Sequence, residues 1–193
     1  MRTETEKIEL CVQFVRENTP RWLFNPDLLK GLRLQEIRFL PERAMRGNRG
    51  YAIEHKVRVS AVTAKWRSSS PYTSPCGKSD LSPLGVMAHE MGHILEFAAH
   101  DADVPYPHVW YDIHRTLHKQ GVTSYARSHW REDIAESHRL FVLNPKLLNE
   151  LSSHRHDAIR AMYHGVFGTR TPAKEFKLSV ADFKAQFKRM VLT

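Results

Sequence analysis

The segment SPLGVMAHEMGHILEFAA, residues 82–99, decides how the rest of this chain is read. Ser82 offers a side-chain oxygen to free helical N–H groups, and Pro83 has the fixed φ and missing donor that suit a first helical position. Leu84, Met87, Met91, Ile94, Leu95 and Ala98 recur at three- and four-residue steps, marking the core face of a helix that runs to about Ala99. Within it lies His89-Glu90-Met91-Gly92-His93. Residues four apart share a helix face one turn from each other, so both imidazoles are expected to reach one ion at about 2.0–2.1 Å. Glu90 is expected beside that ion, where a carboxylate can take a proton from a bound water. The apolar stripe leaves His89 and His93 facing a cleft, and Gly92 allows close packing of a neighbour. The bland alternative is two histidines satisfied on a helix surface. Cap, amphipathicity and acidic residue all argue against it.

A catalytic zinc takes three protein ligands and keeps one position open for water. The extended HExxHxxGxxH pattern fails here, because Glu96 stands at its glycine and Ala99 at its last histidine. Glu96 lies too close to His93 in sequence to complete a tripod, and reads as a solvated or supporting acid. Downstream, Glu132 and Glu136 are one turn apart on an expected helix over about 131–143, stopped by Asn144-Pro145. Glu132 follows His93 by 39 residues (132 − 93), enough for a loop, a helix and a return to the cleft. Spacing alone leaves both glutamates open as the third ligand. Asp133 is expected to point away as a surface acid.

The segment SYARSHWREDIAESHRLFVLNP, residues 124–145, taken with HEMGH, resembles the catalytic domain of anthrax lethal factor and related zincins. This superfamily includes the Pro-Pro endopeptidases. The resemblance covers about residues 82–145. His129 and Trp130 lie outside its pattern, and the first 80 residues carry no motif it assigns. It implies a zincin-like fold, with Glu132 as third zinc ligand and Tyr125, seven residues earlier, pointing its hydroxyl at the reacting carbonyl. Glu136, four residues later, would orient a histidine ligand. It also implies peptide-bond hydrolysis, with the substrate extended along an edge strand beside the metal helix, and part of 51–63 is expected to be that edge.

Working outward, residues 3–17 read as an amphipathic helix with Ile8, Val12 and Val15 on one side. Asp27 to Lys30 read as a short helix stopped at Gly31. Residues 32–40 alternate as a half-buried strand does, 41–50 form a Gly- and Arg-rich loop, and 51–63 supply strand material in two pieces. Residues 67–80 are a long polar loop leading into the motif helix. After it, helices are expected over 108–119, 146–166 and about 180–192. The last has Phe183 and Phe187 on a docking face and a solvated basic side. His114 and His118 are also four apart, but no acid accompanies them, so they read as surface or partly buried. His154-Arg155-His156 reads as a solvated polar patch.

Composition sets the remaining bounds. The 193 residues are 41% hydrophobic and 26% charged, as in ordinary globular proteins. No run of eighteen apolar residues or secretory leader is seen, so a cytoplasmic protein of bacterial or phage origin is expected, with no membrane partner. Cys11 and Cys76 read as ordinary thiols in a reducing compartment. A net charge of +8 permits nucleic acid as a partner, although no motif supports it. The expectation is one α+β domain over 1–193: strands at about 32–63, a metal-site core at 82–145 and C-terminal helices at 146–193. Its function would be zinc metalloendopeptidase, with one Zn2+ on His89, His93 and Glu132, Glu90 as base, and a protein or peptide substrate. The rivals are a DNA-associated or regulatory HExxH peptidase and a non-catalytic module that keeps zinc for stability.

Overall fold

A computed structural model describes residues 3–61, 79, 82–117 and 120–167, without the side chains of 106 and 107. Among them, seven α-helices and a three-stranded sheet make an α+β fold. Helix α1, Glu4–Asn18, begins in a reciprocal cap between Thr3 and Glu6. It buries Cys11, Phe14, Val15 and Asn18, which follow i, i+3, i+4, i+7 steps. The expected face is therefore rotated: Ile8 packs on the core, but Val12 is only half-buried. Burial pushes the Cys11 thiol up to about 12, so it is an inert core residue.

Helix α2, Pro26–Gly31, starts at Asn25, whose side chain accepts from the Asp27 amide at 2.8 Å. Strand β1 is only Glu36–Leu40, shorter than the alternation over 32–40 implies. The residues before it close α2 instead. Leu32 and Leu34 donate their amides back to Leu28 and Leu29, and Arg33 turns between them at φ 52°. Strands β2, Gly50–Ile53, and β3, Lys56–Ser60, are the two pieces expected from 51–63. A two-residue turn at Glu54-His55 joins them. The order is β1-β3-β2, with β1 parallel and β2 antiparallel to β3. Central β3 buries Val57 and Val59 completely, and β2 is an edge.

Helix α3, Pro83–Asp101, has the expected cap, with Ser82 Oγ accepting from the Gly85 amide at 3.1 Å. It runs between β2 and β3 on one side and helices α5, Trp130–Leu143, and α7, Ser153–Phe167, on the other. Every residue except His93, Phe97, His100 and Asp101 is buried, so its cleft-facing strip is far narrower than a surface helix would have. Helix α4 is Tyr106–Leu117. Helix α6, Pro145–Leu151, starts directly at the Asn144-Pro145 pair that ends α5.

Two expected surface groups are in the interior. Asp133 is fully buried, and Arg155 grips it with Nε and Nη2 at 2.9 and 2.8 Å. His114 Nδ1 lies 3.2 Å from the same carboxylate, and Arg155 also donates to the Leu117 carbonyl at 3.3 Å. Buried charges persist only when paired, and here the pairing links α4, α5 and α7. The expectations for Cys76, His118 and residues 180–192 lie outside the described residues. No described helix is long and apolar enough to cross a membrane.

Candidate metal centre

The packing of α3 on α5 builds the site. A Cβ at Gly92 would lie 2.7 Å from Ala135 Cα and 2.9 Å from His138 Cβ, so only glycine lets the two backbones approach this closely. Ala135 sits between Glu132 and Glu136, and the contact therefore delivers both carboxylates to the histidine pair. Helix α5 itself starts at His129, whose Nδ1 accepts from the Arg131 amide at 3.2 Å.

The structure brings His89, His93 and Glu132 together, with one ligand atom of each within 4.8 Å of the others. Glu132 Oε2 lies 3.1 Å from His89 Nε2 and 3.7 Å from His93 Nε2. The rings are 5.1 Å apart and nearly perpendicular, at 82°. Ligand atoms on a tetrahedral zinc, with bonds of about 2.0–2.1 Å, sit about 3.3 Å from one another. Glu132 Oε2 is also buried without a hydrogen-bond partner among the described residues. Two imidazole nitrogens and a buried carboxylate oxygen this close together could hold a metal ion.

Glu136 stands behind this group, not in it. Its Oε1 meets His89 Nδ1 at 2.8 Å, and Arg139 bonds the carboxylate at 3.2 and 3.4 Å. Burial opposes its ionisation, but Arg139, His89 and Thr123 outweigh burial and hold it well below the usual carboxylate range. The geometry thus separates the two glutamates that spacing left open.

Charge is shared out accordingly. Burial disfavours the imidazolium of His89, yet the carboxylates of Glu132 and Glu136 at its two nitrogens raise it to about 10. For Glu132, burial works against the charge and the two histidines overcome it, holding the carboxyl low. Glu90 goes the other way. Its burial raises it, against the opposing pull of His89, His93 and the Ala52 N–H.

The support of Glu90 was not legible in sequence. Edge strand β2 passes over it, and a Cβ at Gly50 would sit 2.6 Å from Glu90 Oε1. The glycine at the end of the loop over 41–50 thus makes room for the acid, while the Ala52 N–H donates to it. Tyr125, about half exposed, stacks obliquely near His89 with ring centroids 5.8 Å apart. Burial first, then the Glu132 carboxylate, raise its hydroxyl, so it remains a donor. A cleft of about 490 Å³ opens here, lined among others by Arg49, Gly50, His89, Glu90, Ser124 and Tyr125.

His138 is a further buried group that sequence reasoning passed over. Its Nδ1 bonds the Ala88 carbonyl and its Nε2 the Tyr163 hydroxyl, both at 2.6 Å. A carbonyl only accepts, so Nδ1 carries the proton and Tyr163 donates to Nε2.

No protein-family model matches the chain, and comparison with curated proteins and with solved structures finds no match.

Proposed function

We propose that this chain is a zinc-dependent metalloendopeptidase with a zincin-like fold, acting on a protein or peptide substrate. One observation carries the reading. Two Nε2 atoms and a buried carboxylate oxygen that makes no hydrogen bond among the described residues lie within 4.8 Å of one another, with a further glutamate beside them in an open cleft. A site kept only for stability has no use for that glutamate or for the opening.

His89, His93 and Glu132 would hold the zinc ion, which would supply the Lewis acidity that makes water ionise near neutral pH. Glu90 takes the proton of the attacking water. Its raised affinity for protons suits it to hold that proton and pass it to the departing amine. Tyr125 donates its hydroxyl to the developing oxyanion, and a single donor of this kind contributes about 3–4 kcal/mol. Strand β2, which pairs with β3 alone among the described residues and passes beside Glu90, offers backbone groups to an extended peptide.

Glu90→Gln tests the reading. It is expected to bind Zn2+ as wild type does and to cut members of a peptide library about a hundred- to ten-thousandfold more slowly. Equal turnover in wild type and variant removes Glu90 from the mechanism. A wild-type chain that takes up no Zn2+ removes the metal.

A further inference from the structure

Each central imidazole has a buried glutamate behind its Nδ1, hydrogen-bonded at 2.8 Å for His89 and 3.9 Å away for His93. His89 turns Nε2 to the centre and Nδ1 to Glu136, whose carboxylate Arg139 holds. His93 turns Nε2 to the same centre, 3.7 Å from Glu132, and Nδ1 towards Glu96 Oε2 at 3.9 Å. Arg131 Nε holds the other oxygen of Glu96 at 3.0 Å. The two arginines lie on the same helix as Glu132 and Glu136, so α5 supplies a ligand, one brace and both clamps.

Glu96 is 3% exposed, and its Oε2 has no hydrogen-bond partner among the described residues. Leaving a buried acceptor unsatisfied costs about 1–3 kcal/mol, more for a charged one. A tilt of the His93 ring of about an ångström would bring Nδ1–H to the 2.7–2.9 Å of a charge-assisted bond. The His93 arm of the triad is the looser one, at 3.7 Å against 3.1 Å for His89.

We infer that Glu96, clamped by Arg131, is the positioning residue for His93, accepting its Nδ1–H and so fixing the tautomer that leaves the Nε2 lone pair facing the metal. This rests on the metal reading above. Glu96 lies one turn beyond His93 on α3, so the brace and the ligand move as one body. The alternative is an ion pair that merely packs α3 against the start of α5. Arg131 also lies over the Trp130 ring, 5.1 Å from its centroid, which gives it an anchor of its own.

The test measures Zn2+ affinity by chelator competition, and the His93 ring nitrogens by NMR, on the full chain. Glu96→Ala is expected to weaken Zn2+ binding 10–100-fold, the usual effect of losing such a partner. Glu96→Gln keeps shape and an acceptor, and is expected to fall between it and wild type. Arg131→Ala, which leaves Glu96 in place but unclamped, is expected to lose a smaller factor. In the zinc-loaded wild type the His93 Nδ1–H signal should be strongly downfield, and Glu96→Gln should shift it. If Glu96→Gln and Arg131→Ala bind Zn2+ like wild type with an unmoved His93 signal, while only the melting temperature falls, Glu96 is a packing ion pair and the inference is overturned. If wild type itself fails to bind Zn2+, the metal reading falls and this one with it.

Discussion

At the scale of single residues, His89 carries the clearest thermodynamic consequence. With carboxylates at both nitrogens it holds its proton up to about pH 10, and a metal needs that Nε2 bare. His93 is shifted in the same direction, since Glu132 and Glu96 overcome its burial. Loading Zn2+ near pH 7 is therefore expected to release protons, and apparent affinity to rise as the pH is raised above neutral. Calorimetric titrations in two buffers of different ionisation enthalpy measure the number directly. A release of zero would mean the imidazoles were already neutral, contrary to the charge distribution described. His89, Glu90 and His93 stand out from their own spacing, whereas nothing in the spacing around Tyr125 marks it. From the sequence Glu96 reads as a solvated or a supporting acid, and what bears on the choice is Arg131, which is 35 residues away in the chain (131 − 96).

At the scale of elements, the site is the product of one helix pair. Helices α3 and α5 meet where Gly92 faces Ala135, and His89, His93, Glu96, Glu132 and Glu136 all lie within about two turns of that contact. Gly92→Ala would add a methyl 2.7 Å from a backbone atom that cannot step aside. Overpacking of this kind costs about 1–3 kcal/mol, against about 0.5–1 kcal/mol gained from replacing a helical glycine. The expected net is a lower denaturant midpoint and, because α5 must back away with Glu132, a larger fractional loss of Zn2+ affinity. A variant that is both more stable and unchanged in Zn2+ binding would contradict the close approach. Strand β1 teaches a related lesson. Its apolar alternation from Leu32 is real, but Leu32 and Leu34 serve to close α2, and alternation does not distinguish a strand from a cap that is also half-buried.

At the scale of the whole molecule, buried polar links tie the helical half together. His138 joins α3 through the Ala88 carbonyl to α7 through Tyr163, and burial drops it to about 4 from an ordinary value of 6.5. The sign follows: the unfolded chain takes up this proton below about 6.5, and the folded one only near 4. Stability from this group is complete above about pH 6.5 and is lost as pH falls to about 4, on the order of 3 kcal/mol over that window. Melting temperatures of the metal-free chain between pH 7 and pH 4 should fall accordingly. The slope should flatten in His138→Gln, and an unchanged slope would assign the acid sensitivity to another group.

The sequence by itself determined what lies within one element. The capped motif helix, the i, i+4 histidine pair with its glutamate, the turn-spaced glutamates and the strands-then-helices plan all follow from backbone periodicity and side-chain chemistry at short range. Tertiary structure decided which polar groups went inside. Asp133 and Arg155 look like surface charges until folding sets them 2.8 Å apart, and Gly50 looks like a loop residue until β2 lies over Glu90. The physical reason is that a charge is admitted to the interior only with its partner, and partners brought together by α3, α5 and α7 leave no mark on the local pattern of either one.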